Sequence, residues 1–151
     1  VHLYRSYRGA IEALPRIGVR EIALDSIISN AEKDSTTLLL VGRVKNKKAA
    51  RKAYSIASKY LGRDYDDLFM PDDKEIYCSE LVQLSYLTKK GKPLFESIPM
   101  TFKDKSGNTL SYWKQYYETR GKEIPEGVPG TNPAEMSRSK QVKIIGKLTI
   151  K

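Results

Sequence analysis

The chain has 151 residues, the length of a single domain, and its 40% hydrophobic content can fill one core and argues against wholesale disorder. A net charge of +9 favours acidic partners such as nucleic acid, anionic lipid or an anionic wall polymer, without choosing among them. A single cysteine, Cys78, excludes an intrachain disulfide framework, and a single histidine, His2, excludes a multi-histidine metal site. No apolar run approaches the roughly 18 residues that a membrane-spanning helix needs. The chain starts at Val1, which suggests a processed or shortened chain whose signal peptide, if any, is already gone.

Taken in chain order, His2-Leu3-Tyr4 reads as a short strand, Arg8-Gly9 as its turn and Ala10 to Leu14 as the returning strand. Pro15 and Gly18 end that hairpin. Apolar residues at 24, 27, 28 and 31 give the spacing of a helix over Leu24 to Ala31. Thr36 to Val44 is nearly continuously apolar, which predicts a central, buried strand. Asn46 can cap a helix running to Leu61, with Ala49, Ala50, Ala53, Ile56, Ala57, Tyr60 and Leu61 along one face and Gly62 as its stop. Cys78 to Thr88 is a second amphipathic helix, followed by Gly91. Residues 92–140 are rich in Pro, Gly, Asn and Ser, with one helix around Leu110 to Thr119. A stretch that long, with so little regular pattern, reads as a wall of a functional cleft within one domain spanning 1–151. Gln141 to Ile150 returns to a strand pattern. The order predicts an α+β fold, with a mainly antiparallel sheet packed against helices.

Cys78 is the first residue of its apolar helical pattern. Unpaired backbone N–H groups and the positive end of the dipole gather at a helix start, and both favour thiolate over thiol. The same N–H groups can hold an oxyanion on an attacked carbonyl. A lone cysteine is more commonly a plain core residue. His2 is the candidate base, because imidazole titrates near neutral pH. Glu12 is a carboxylate flanked by apolar residues, and a shared hairpin can set it beside His2, facing the start of the Cys78 helix. The competing reading of Glu12 is an edge-strand carboxylate in water. The dense polar and aromatic clusters Tyr65-Asp66-Asp67 and Tyr77-Cys78-Ser79-Glu80 make Tyr65, Tyr77, Ser79 and Glu80 candidate substrate-binding residues. Asp66 reads as a loop brace, since the spacing and glycine of a calcium loop are missing.

The segment Leu61-Gly62-Arg63-Asp64-Tyr65-Asp66-Asp67-Leu68-Phe69, followed by Ile76-Tyr77-Cys78-Ser79-Glu80-Leu81-Val82, resembles the YiiX/YebB-like cysteine peptidase family, in the permuted, papain-like branch of the NlpC/p60 superfamily. Ile11-Glu12-Ala13 with Gly18-Val19 is similar to the family's strand segment after its histidine, and Gly130 to Ser137 resembles its C-terminal signature. The order His2, Glu12, Cys78 is the permuted order. The departure is at the start: the family's histidine opens a His-Val-Gly-Ile-like strand, and here the residues are His2-Leu3-Tyr4-Arg5.

The resemblance implies Cys78 as nucleophile, His2 as base and Glu12 as the residue that orients it. It implies a papain-like fold and a hydrolase for an amide bond in a cell-wall peptide, an N-acyl amine or an acylated lysine, working without metal or organic cofactor. It leans toward the cell envelope, with a wall polymer or membrane surface as the anionic neighbour. From another class, Lys45, Lys47, Lys48, Arg51, Lys52, Lys59 and Arg63, interleaved with Tyr54 and Tyr60, suggest a basic nucleic-acid surface. The commoner meaning of such a stripe is a solvated helix face, and no nucleic-acid motif accompanies it. A third reading is an inactive relative that only binds a wall or lipid ligand.

Overall fold

The computed structural model describes residues 2–6, 9–33, 38–72 and 74–149. Strands β1 (His2–Ser6), β2 (Gly9–Leu14) and β3 (Gly18–Ile22) form a three-stranded antiparallel sheet with β2 in the middle. The expected hairpin is there, with His2 opposite Glu12 and Leu3 opposite Ile11. Its turn at residues 7 and 8 lies outside the described residues.

β3 was not legible in the sequence. After Leu14 the chain reverses through a tight turn, in which Ile17 donates to the Leu14 carbonyl at 3.2 Å and Arg16 takes a left-handed φ of 65°. Gly18 begins β3, and a side chain is excluded there. A Cβ on it would sit 2.2 Å from the Arg63 carbonyl oxygen. That carbonyl accepts from Val19 N–H at 2.8 Å, and Gly62 N–H donates back to Val19 at 2.9 Å. The stretch 62–63 is thereby stitched to the outer edge of β3.

Helices α1 (Leu24–Lys33), α2 (Lys47–Ala57), α3 (Cys78–Ser85), α4 (Ser111–Glu118) and α5 (Pro133–Arg138) complete the α part. Asn46 caps α2 as expected, accepting from Ala49 N–H at 3.1 Å. Ala49, Ala53 and Ala57 form its buried stripe, and such small side chains let the helix lie close to its neighbours. The helix ends earlier than its pattern predicts. A single 3₁₀ turn, Ser58–Tyr60, follows it, and Ala50 and Leu61 are exposed. α3 likewise stops at Ser85, short of Thr88.

The main core joins Ile11, Ala13 and Val19 of the sheet to Ala53 and Ala57 of α2 and to Ile76 and Leu81 around the start of α3. Ala10 and Ile22, on the other face, pack with Ile27 of α1. Helices therefore cover both faces of the small sheet.

The expected central, buried strand is corrected. β4 (Leu38–Val44) pairs only with β7 (Val142–Thr149) among the described residues, and Leu38, Leu40 and Val41 remain 46–48% exposed. An apolar run specifies strand conformation without naming its neighbours, and the central place is taken by β2. The β structure is thus divided into separate antiparallel units rather than one sheet. The third unit pairs β5 (Ile98–Pro99) with β6 (Pro129–Gly130).

The stretch 92–140 packs onto the rest. Phe95 and Met136 share a small core with Val82 of α3. Phe102, Trp113 and Tyr117 meet one another edge-to-face or tilted, and Trp113 also meets Phe69 edge-on.

Candidate active site

Cys78 is the first residue of α3, as the sequence pattern predicts, and it is half-buried. Tyr77 holds the cap position in an extended conformation, and its N–H donates to the Glu80 carboxylate at 3.3 Å. A glutamate in the first turn also suits the helix dipole.

The side chains flanking Cys78 do structural work. The Tyr77 hydroxyl accepts the Thr131 N–H at 3.0 Å, and the Ser79 hydroxyl donates to the Thr131 carbonyl at 3.0 Å. Tyr77, Ser79 and Glu80 are all under 5% exposed. Together they clamp the start of α3 to the C-terminal segment at Gly130-Thr131, so the structure places these three predicted substrate-binding residues in the interior. Burial, first of all, pushes the Tyr77 phenol up from its ordinary value.

Tyr65 is placed differently. The Asp64 carbonyl accepts from Ile76 N–H at 3.0 Å, which lays the Tyr65 segment alongside the approach to Cys78. Burial, first of all, drives the Tyr65 phenol far above its ordinary range, followed by the neighbouring Cys78, then by Asp67 and Tyr116. Tyr65 thus keeps its proton beside Cys78.

Asp66 braces the loop as expected. Its carboxylate accepts from Leu68 N–H at 2.8 Å and Met70 N–H at 2.6 Å. This bonding holds Phe69 at a left-handed φ of 58°, rare for a residue with a bulky side chain. Phe69 then packs edge-on to Tyr77, with centroids 5.4 Å apart. Desolvation raises the Asp66 carboxyl, and the backbone N–H bonds partly offset that.

Glu12 is 1% exposed, in the middle strand. His2 stands opposite it on β1, and Arg20 stands opposite it on β3. Arg20 Nε donates to Glu12 Oε1 at 2.9 Å, so the buried carboxylate has a cation beside it. Sequence reasoning missed Arg20, because its position follows from the unrecognised turn into β3. The expected orientation of Glu12 differs from the observed one. Ile11 and Ala13 point toward α2 and α3, and strand alternation turns Glu12 to the Ala10 face, toward α1. β1, the outer strand, packs against both α2 and α3.

Among the described residues, no group of three or more His, Cys, Asp and Glu gathers in a way that could hold a metal ion. The basic stripe is exposed, but its aromatic partners are occupied. Tyr54 and Tyr60 pack on the main core, the Tyr54 hydroxyl donates to Glu21, and Arg63 lies over the Tyr60 ring.

A cysteine opens a buried helix, braced from the C-terminal segment and following the sheet in sequence. The model of the permuted papain-like amidase family YaeF/YiiX, C92, matches residues 4–146. The chain belongs to this family. The match spans Glu12, Tyr65 and Cys78, and position 2 lies just before it. Among solved structures, this family member is similar to a protein described as metalloprotein yiiX from Escherichia coli O157:H7. The TM-score is 0.73 at 25% identity, over 93% of this chain and 76% of that one. No curated protein matches the chain. The permuted papain-like fold is therefore established, as is membership of a family of amidases and peptidases.

Proposed function

We propose that the chain is a thiol hydrolase that cleaves an amide bond through an acyl-enzyme on Cys78. One observation carries this reading: Cys78 is the first residue of α3, half-buried, with the phenol of Tyr65 beside it and kept protonated by burial. A nucleophile and an oxyanion donor are then side by side.

In this reading the Cys78 thiolate attacks the carbonyl carbon. The oxyanion forms against the first-turn N–H groups of α3 and the Tyr65 hydroxyl. The C–N bond breaks as imidazolium donates its proton to the leaving amine. Water, deprotonated by the same imidazole, attacks the thioester and releases the acid with free Cys78. His2 is assigned as that base and Glu12 as its register partner in the β1–β2 ladder, an assignment that requires the imidazole to reach the α3 side of the sheet although Glu12 itself is turned toward α1. Arg20 compensates the charge of Glu12. Tyr77, Ser79 and Glu80 keep the helix start in place rather than touching substrate. The substrate classes that fit are a cell-wall peptide, an N-acyl amine and an acylated lysine side chain.

Acylation of the protein by p-nitrophenyl acetate tests the reading. A burst of p-nitrophenolate, with one acetyl group added at Cys78 by mass spectrometry and none in Cys78→Ala, is expected. Acetyl groups scattered over lysines, with Cys78 unmodified, would overturn it.

A further inference from the structure

We propose that Tyr116, on α4, is a positioning residue for the Cys78 centre: it fixes the loop that aims Tyr65 at the sulfur. The proposal rests on the reading of Tyr65 as the oxyanion donor. It gives the segment 92–140 a role in the chemistry that its sequence does not announce.

The geometry runs in unbroken contacts. The Tyr116 hydroxyl donates to the Asp67 carbonyl at 3.0 Å and lies 3.2 Å from the Asp67 carboxylate. Asp67 is two residues beyond Tyr65. The neighbouring Tyr117 hydroxyl donates to the Leu68 carbonyl at 3.1 Å, so two successive residues of α4 hold two successive carbonyls of the loop. On the other side of the loop, Asp66 takes the N–H groups of Leu68 and Met70. The loop is therefore gripped on its carbonyls from α4 and on its N–H groups from within. Tyr116 is itself held: Arg120 stacks over its ring at 3.6 Å and donates to its backbone carbonyl at 2.9 Å.

The two hydroxyls are not equivalent. Tyr117 is 1% exposed and wedged among Phe102 and Trp113, so it serves packing as well as bonding. Tyr116 is half-buried and touches the loop at Asp67, one residue nearer Tyr65 than the carbonyl that Tyr117 holds. Asp67 and Tyr116 also both act on the Tyr65 phenol electrostatically, in the direction that keeps its proton. A donor that must meet a developing oxyanion has to be held within a fraction of an ångström, and misplacement by about 1 Å can cost on the order of 100-fold in rate. The pair Tyr116–Asp67 supplies that restraint from outside the site.

Two reactions of Cys78 separate positioning from general loosening. Acylation by p-nitrophenyl acetate passes through an oxyanion, and alkylation by iodoacetamide does not. Tyr116→Phe keeps the ring and removes the hydroxyl. Its acylation rate should fall by about tenfold while alkylation changes by less than about twofold. Tyr65→Phe should lower acylation by about 100-fold with alkylation again nearly constant. In the double variant the two losses should not multiply, because both act through one hydroxyl. Wild-type acylation in Tyr116→Phe, with Tyr65→Phe impaired, would overturn the role of Tyr116 alone. Unimpaired acylation in Tyr65→Phe would overturn the oxyanion reading itself. Equal changes in both reactions of Tyr116→Phe would make Tyr116 a purely structural residue and would also overturn the proposal.

Discussion

Arg20 and Glu12 face each other across the β2–β3 ladder, with the guanidinium Nε donating to the carboxylate at 2.9 Å. The carboxylate side chain is 2% exposed and the arginine side chain 39%, so water screens one end of the pair only. Arg20→Ala should destabilise the fold by about 1–2 kcal/mol in a urea titration, less than a fully buried pair would lose. Arg20→Lys should recover part of that. A stability unchanged in Arg20→Ala would mean that the contact contributes nothing.

Glu12 itself is open to a sharper test, because a carboxylate that orients a base and one that only fills the sheet differ in what they change. Glu12→Gln keeps the shape and removes the charge. If Glu12 orients His2, acylation of Cys78 should fall by about 10²-fold or more, well beyond any loss of stability. If stability falls and the acylation rate holds, Glu12 is a structural residue of the Ala10 face.

The Tyr77 hydroxyl has a buried partner, the Thr131 N–H at 3.0 Å. Removing it in Tyr77→Phe strands that N–H, at a cost of about 1–3 kcal/mol. The midpoint of urea unfolding should fall accordingly, while acylation per folded molecule stays within about twofold of wild type. A selective loss of acylation would return Tyr77 to the substrate side of the site.

These relations mark how far the sequence could be read. The pairing of His2 with Glu12 was legible because a hairpin with a short turn leaves little freedom of register, and Cys78 was legible because an apolar helical pattern starts on it. Arg20 was not legible: nothing in Gly18-Val19-Arg20-Glu21-Ile22 signals a strand until the turn at Arg16 folds it back onto β2 and Gly62-Arg63 closes its far edge. The interior roles of Ser79 and Tyr77 depend on Thr131, more than 50 residues away in sequence. The exposure of β4 was illegible for the opposite reason: apolar content was read as burial, and burial depends on what the rest of the chain brings near. Tyr116 and Tyr117 looked like wall residues, and only their contacts with the carbonyls of Asp67 and Leu68 reveal which loop they hold.

Asp66 gives a prediction in pH. Desolvation raises its carboxyl in the folded chain above the ordinary 3.8. The folded state therefore binds the proton more readily than the unfolded one just above that value. This contribution to stability is complete below the unfolded value and is lost as pH rises through the folded one. Asp66→Asn cannot titrate. The stability of wild type relative to Asp66→Asn should therefore increase as pH is lowered from 7 toward 4, read by urea unfolding at each pH. A relative stability that falls on acidification would show that the backbone N–H bonds outweigh desolvation.

The segment 92–140 should melt together with the rest of the chain. Trp113, the sole tryptophan, sits inside it and meets Phe69 of the preceding loop at 5.9 Å between centroids, as well as Phe102 at 5.1 Å. Phe95 and Met136 share a core with Val82 of α3, and the hydroxyls of Tyr116 and Tyr117 bond to the loop at Asp67 and Leu68. Detaching the segment would expose those rings and strand the carbonyls, so it is expected not to fold apart from α3. Trp113 fluorescence and far-ultraviolet circular dichroism should give coincident thermal transitions, the mark of one cooperative unit. A fluorescence transition several degrees below the dichroism transition would make the segment a separate folding unit, and the grip of α4 on the Tyr65 loop would then be lost before the catalytic core unfolds.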